Sequence, residues 1–137
     1  MSVFLDAFAL IALLTDEPAA ETVEVLLRRG DAAMTVVNLA EALDVLRRIE
    51  KIPADRLEAL TAPLLSKHIE LRPVDEPIAR RAADVRARRY HRSRAPLSLA
   101  DCILLAAVSR SDTLATADEP LLRAARTEGV SVRRLAR

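Results

Sequence analysis

Four short apolar runs, Ser2–Leu5, Ala32–Thr35, His68–Arg72 and Thr113–Thr116, each lead into a segment with helical patterning. That alternation constrains the fold more than any other feature. Runs of this kind read as strands buried on both faces, and strands alternating with helices pack as a parallel sheet covered on both sides. The expected fold class is therefore α/β, a three-layer sandwich around a central, mainly parallel sheet of four or five strands, with Val130–Leu135 as the possible fifth. At 137 residues and 51% apolar, the chain suffices for one substantial core, so residues 1–137 are expected to form a single domain.

The intervening helices are marked by their own signals. Ala7 to Leu14 is one, and Pro18 to Arg29, stopped by Gly30, is the next. Leu39, Leu43, Leu46 and Ile49 recur at helical spacing, predicting a helix from Leu39 to about Lys51, and Pro53 opens another to about Lys67. Asp75-Glu76-Pro77 starts a helix that runs to about Arg89, and Glu119 to Thr127 precedes Gly129. The run LADCILLAAV from Leu99 is apolar on nearly every side, which predicts a helix buried in the centre of the domain.

Several function classes are excluded early. With 21 Lys plus Arg against 20 Asp plus Glu, net charge supplies no basic coat, so any electrostatic function must come from segregation of charge along the chain. Phe4, Phe8 and Tyr90 are the only aromatic residues, too few for a platform on which successive bases stack. Gly30 and Gly129 are the only glycines, which removes glycine-rich phosphate loops. The lone Cys102 lies in an apolar run and fits a reduced, cytoplasmic protein. Asp6 interrupts the apolar run of residues 3–14 and no basic segment precedes it, so neither a signal peptide nor a membrane span is expected.

In a parallel sheet the functional crevice lies at the carboxyl ends of the strands. Asp6 follows the first strand, Glu41 is expected in the first turn of the helix after the second, Asp118 follows TLAT, and Asp101 opens the LADCILLAAV helix. Each acid taken singly is explained by capping: Asn38-Leu-Ala-Glu41 and Ser98-Leu-Ala-Asp101 resemble capping boxes, and Asp118 can cap the helix bearing Pro120. Capping does not require the four to converge. Two carboxylates about 5 Å apart repel by about 3 kcal/mol at an effective dielectric near 20, so a cluster of four calls for a cation. Hard oxygen ligands suit Mg²⁺, whereas His68, His91 and Cys102 lack the spacing of a zinc site.

Arg80, Arg81, Arg86, Arg88, Arg89, Arg92 and Arg94, with His91, form a basic stretch leading to Ser98 and Asp101. Beside an acidic crevice these cations suit a polyanion held by its phosphates; a contact with another protein is the competing use.

The opening VFLDAFALIALL, the helix start VNLAEALDVL, the segment LSLADCILLAAV and the ending TLATADEPLL together resemble a PIN domain, and specifically the VapC-type ribonuclease toxins of toxin–antitoxin pairs. The likeness covers essentially the whole chain. It implies that Asp6, Glu41, Asp101 and Asp118 bind one or two Mg²⁺ or Mn²⁺ ions, with Thr116 supporting them by hydrogen bonding. The fourth acid varies most in the family, and Glu119 beside Asp118 is the alternative. It further implies hydrolysis of single-stranded RNA to 5′-phosphate and 3′-hydroxyl products, a homodimer, and an antitoxin that blocks the groove. Arg86, Arg88, Arg89, Arg92 and Arg94 are the candidates for contact with RNA or partner. A non-toxin RNA-processing nuclease and a catalytically silent PIN-like binding module remain the alternatives.

Overall fold

A computed structural model describes residues 1–137. In chain order the elements are β1 (Val3–Leu5), α1 (Ala7–Leu14), α2 (Ala20–Arg28), β2 (Ala32–Thr35), α3 (Val36–Arg48) and α4 (Ala54–Lys67). Then follow β3 (Ile69–Arg72), α5 (Glu76–Arg89), α6 (Leu99–Ala107), β4 (Thr113–Thr116), α7 (Glu119–Thr127) and β5 (Ser131–Arg134). The five strands form one sheet in the order β3-β2-β1-β4-β5, and every pairing is parallel. Val3 stands opposite Ala32 on one side and Thr113 on the other.

Side chains leave each strand alternately to two separate cores. Val3, Leu5 and Met34 pack with Ala9 and Leu10 of α1 and Val23 and Leu26 of α2. Phe4, Ala33 and Leu114 face the opposite layer, where Ala82 and Val85 of α5, Cys102 and Leu104 of α6 and Leu121 of α7 meet them. A fully buried Leu or Phe contributes about 2 kcal/mol through removal from water, which is why such short strands suffice. The two glycines stop α2 and α7 with positive φ, +81° at Gly30 and +79° at Gly129, a conformation other residues adopt only with strain.

The topology has one reversal. From β1 the chain winds outward through β2 to β3, then returns to the other side of β1 as β4. The carboxyl ends of β1 and β4 therefore flank the switch point, where an α/β sheet opens into a crevice. Asp6 and Asp118 follow those two strands.

Two expectations need correction. LADCILLAAV does not make a centrally buried helix: α6 lies in an outer layer, burying Cys102, Leu104 and Leu105 while Leu99 is 54% exposed. A helix apolar on every side still exposes one side when only the sheet and α5 cover it. Secondly, α3 starts at Val36, three residues before Leu39, because the Thr35 side chain caps it by accepting from the Asn38 N–H at 3.1 Å. Asn38 is thus not the cap, and Glu41 lies in the second turn. No helix is long and apolar enough to cross a membrane.

Candidate functional site

Asp6 is both the cap of α1 and something more. One carboxylate oxygen accepts from the Ala9 N–H at 3.1 Å, and the other accepts a short bond from the Thr116 hydroxyl at the end of β4. The Thr116 oxygen in turn accepts from the Asp118 N–H at 3.1 Å, so β1, β4 and the start of α7 are tied at one point.

Burial pushes the Asp6 carboxyl up to about 6; its two hydrogen bonds lower it, and the charges of Asp101 and Asp118 raise it further. Asp112, equally buried at the opposite edge of the sheet, behaves in the reverse sense. Burial raises it too, but the Ser109 N–H and hydroxyl and the Ser2 N–H donate to it at 2.8–3.0 Å and hold it below the usual carboxylate range. Asp112 is fully engaged in closing a turn. Asp6 retains unbalanced negative charge.

Asp101 opens α6 in a complete capping box: it accepts from the Ser98 N–H at 3.0 Å while the Ser98 hydroxyl accepts from the Asp101 N–H at 3.0 Å. Burial nevertheless raises its carboxyl, and the charge of Asp118 adds to this. Glu41 is raised by burial, against the Asn38 side-chain bond, with Asp101 pushing the same way as burial. Asp6, Asp101 and Asp118 thus lie within one another's fields, and Glu41 lies within that of Asp101.

Capping does not account for Asp118. It occupies the position before α7, yet its side chain makes no capping bond. The adjacent Glu119 is committed elsewhere, in an ion pair with Arg134 of β5. Asp6, Glu41, Asp101 and Asp118 enter no ion pair in the protein.

Glu41 is held by Asn38, which the sequence suggests as a cap, and through it by Thr35, to which the sequence assigns no role. Thr35 donates its hydroxyl to the Asn38 side-chain oxygen at 2.7 Å, and the Asn38 amide donates to Glu41 at 3.2 Å. Thr35 and Asn38 are buried. The legible signal is Thr35-Val-Val-Asn38 at the end of a strand, a Thr cap with an amide three residues on.

The donor set suits a hard divalent cation: carboxylate oxygens alone, converging and without a cation from the chain. No three acidic, His or Cys side chains close into a ready-made coordination group. Any ion held here would therefore take part of its shell from water, as Mg²⁺ commonly does.

The basic stretch divides into two parts. Arg88 and Arg89 pair with Glu128 at 3.1 and 2.7 Å, at the end of α7, ten residues on from Asp118 and about 15 Å of helix away. Arg80 pairs with Glu76 at 2.9 Å. Arg86 donates to the Leu97 carbonyl at 3.2 Å, and its charge counters burial and Asp101 at the Cys102 thiol, which places it beside the start of α6. Arg92 and Arg94 are exposed and enter no ion pair. The structure thus holds Arg86 at the start of α6 and ties Arg88 and Arg89 down elsewhere.

Residues 3–127 match the model of the PIN domain family. The fold is similar to a chain of DNA-bound VapBC from Salmonella typhimurium, 18% identical over 98% of each chain with a TM-score of 0.73. It is likewise similar to one of VapBC2 from Rickettsia felis bound to a promoter DNA fragment, 13% identical over 99% and 100% of the two chains, TM-score 0.68. A toxin–antitoxin complex from Klebsiella pneumoniae gives 21% identity over 85% and 87%, TM-score 0.63. No curated protein sequence matches the chain.

Proposed function

The chain belongs to the PIN domain family, and on that premise we propose that it is a metal-dependent endoribonuclease acting on single-stranded RNA, the toxin of a type II toxin–antitoxin pair. The observation that carries the proposal is the set of four carboxylates at the sheet's switch point, mutually repelling and unpaired with any cation of the chain. The likeness to chains from toxin–antitoxin complexes supports a cognate antitoxin as partner. The reading includes a homodimer and, given the reduced buried Cys102, a cytoplasmic location.

Asp6, Glu41, Asp101 and Asp118 would hold one or two Mg²⁺ or Mn²⁺ ions. When bound, such an ion supplies Lewis-acid and water-activating chemistry at a phosphodiester. The chain's own residues fix the geometry. Thr116 sets the plane of the Asp6 carboxylate, Ser98 anchors Asp101, and Asn38 orients Glu41. Asp118, free of a capping bond, can turn toward the ion or the attacking water. The buried walls around Asp6 exclude bulk water and so strengthen each charge interaction. Water attacking phosphorus in line, with the 3′ oxygen leaving on the opposite side and taking up a proton, would give a 5′-phosphate and a 3′-hydroxyl.

The test is incubation of purified protein with single-stranded RNA and Mn²⁺ or Mg²⁺, followed by end-group analysis. Cleavage abolished by EDTA, with 5′-phosphate ends, supports the proposal; EDTA-resistant cleavage or cyclic phosphate ends would sink it. Expression in a bacterial host should arrest growth, with relief by the product of a small neighbouring open reading frame; harmless expression of an active enzyme would assign it to RNA processing.

A further outcome concerns Asn38. Asn38→Ala removes the one group that orients Glu41 and leaves the Thr35 hydroxyl without its acceptor. Cleavage should fall about 10- to 100-fold, with more Mn²⁺ needed for half-maximal rate. An unchanged metal requirement would show that Glu41 does not depend on this relay.

A further inference from the structure

At the start of α6, on the other side of the helix from Asp101, an open cleft of about 460 Å³ is lined by Ala83, Arg86, Ala87, Tyr90 and Leu99. That volume lies within the range of about 300–1,000 Å³ typical of small-ligand sites. Its two large walls are open to solvent: Tyr90 is 44% and Leu99 54% exposed. The Arg86 guanidinium carbon lies 4.5 Å from the centre of the Tyr90 ring, and its Nε–H donates to Leu97, so the cation is pinned against the aromatic face.

The neighbouring loop is held as firmly. His91 and Ala95 exchange both backbone hydrogen bonds at 2.9 Å. The His91 Nδ1 accepts from the N–H groups of Ser93 and Arg94 at 3.2 and 3.1 Å, and Arg123 donates to the Arg94 carbonyl at 3.2 Å. This fixed turn projects Arg92 and Arg94, and no acid lines the cleft beside it. A ring, a planar guanidinium and an apolar wall, with no acid among the lining residues, have the chemistry of a stacking site on a polyanion.

We infer that the Tyr90–Arg86–Leu99 cleft is a nucleobase subsite, taking an unpaired base of an RNA strand that crosses the N-terminal end of α6 to reach Asp101. The inference rests on the RNA-cleaving reading and deepens it. Leu99 and Asp101 share the first turn of α6 but are two residues, about 200°, apart around it, so the stacked base belongs to a nucleotide beyond the one being cut. Arg92 and Arg94 then meet the intervening phosphates. The chain is too poor in aromatic residues for a platform, but one ring suffices for one base.

Because the protein has no Trp, Tyr90→Trp places a single reporter in the cleft. In EDTA, a short oligoadenylate should quench its emission, and an abasic ribose-phosphate oligomer of equal length and charge should not. With Mn²⁺, Tyr90→Ala should raise KM for RNA about tenfold with kcat within about twofold, as loss of a stacked base predicts. Tyr90→Phe, which keeps the ring, should restore the KM. Equal quenching by both oligomers, or an unchanged KM in a Tyr90→Ala protein that still cleaves RNA, overturns the base subsite and leaves the nuclease reading standing. Quenching by a co-expressed antitoxin and not by oligoadenylate assigns the cleft to protein and also overturns it. If wild type neither binds nor cleaves RNA, both fall together.

Discussion

Replacing Asp6 by Asn should abolish RNA cleavage and, in metal-free protein above pH 7, make the fold more stable. Both effects have the same cause. The Asp6 carboxyl titrates near 6 in the fold, against an ordinary value of 3.8, because burial disfavours its charged form. A carboxyl whose folded value is raised holds its proton more tightly in the folded state, so its contribution to stability falls as pH rises from about 4 to about 6 and stays low above that. Two pKa units correspond to about 3 kcal/mol. Asn keeps the capping acceptor for the Ala9 N–H but reverses the bond with Thr116, at a cost of about 1 kcal/mol. A net gain of about 2 kcal/mol is therefore expected at pH 7.5, falling to zero between about pH 4 and 5 and becoming a loss of about 1 kcal/mol below about pH 3, where wild-type Asp6 is protonated in both states.

Urea denaturation of the two proteins in EDTA across this range measures it. Added Mn²⁺ should reverse the order, stabilising wild type through binding to the native state and leaving Asp6→Asn unmoved. A destabilised Asp6→Asn protein at pH 7.5 would show that the carboxylate is a structural cap and nothing else. An inactive but more stable variant is the signature of a site that carries electrostatic strain for function.

The layout of this site was largely legible in the sequence because it follows from strand ends. Short apolar runs announced the parallel sheet, and an acid just beyond a strand falls at the crevice whatever the detailed packing. The start of α3 was not legible. Asn38-Leu-Ala-Glu41 imitates a capping box, and Val36 and Val37, being β-branched, give no strong signal for a helix start. Thr35 captured the helix earlier because its hydroxyl can both accept from the Asn38 N–H and donate to the Asn38 oxygen. The fate of the arginines was hidden for another reason. Glu128 lies 40 residues from Arg88, and nothing local says that α5 and the end of α7 meet. The cleft was hidden although its residues are close in sequence, because only the packing of α6 on α5 brings Leu99 beside Tyr90 and Arg86.

Tertiary packing also separates two acids that the sequence cannot rank. Asp118 and Glu119 are adjacent, and each suits the fourth position of the cluster. Glu119 pairs with Arg134 on the far strand, an exposed bridge contributing about 0–1 kcal/mol, whereas the Asp118 side chain caps nothing and its charge reaches Asp6 and Asp101. Asp118→Asn should therefore lower cleavage on the order of 100-fold, as removal of one preorganised charged group does. Glu119→Gln should change it less than about threefold and cost little stability. A second readout does not depend on catalysis. Removing the Asp118 charge withdraws one of the influences that raise Asp6, so the pH midpoint of the Asp6 titration, followed by carboxyl-carbon NMR in metal-free protein, should move down in Asp118→Asn and stay in place in Glu119→Gln. If Glu119→Gln instead moves both the rate and the midpoint, the Arg134 pair opens in solution and Glu119 is the acid that completes the cluster.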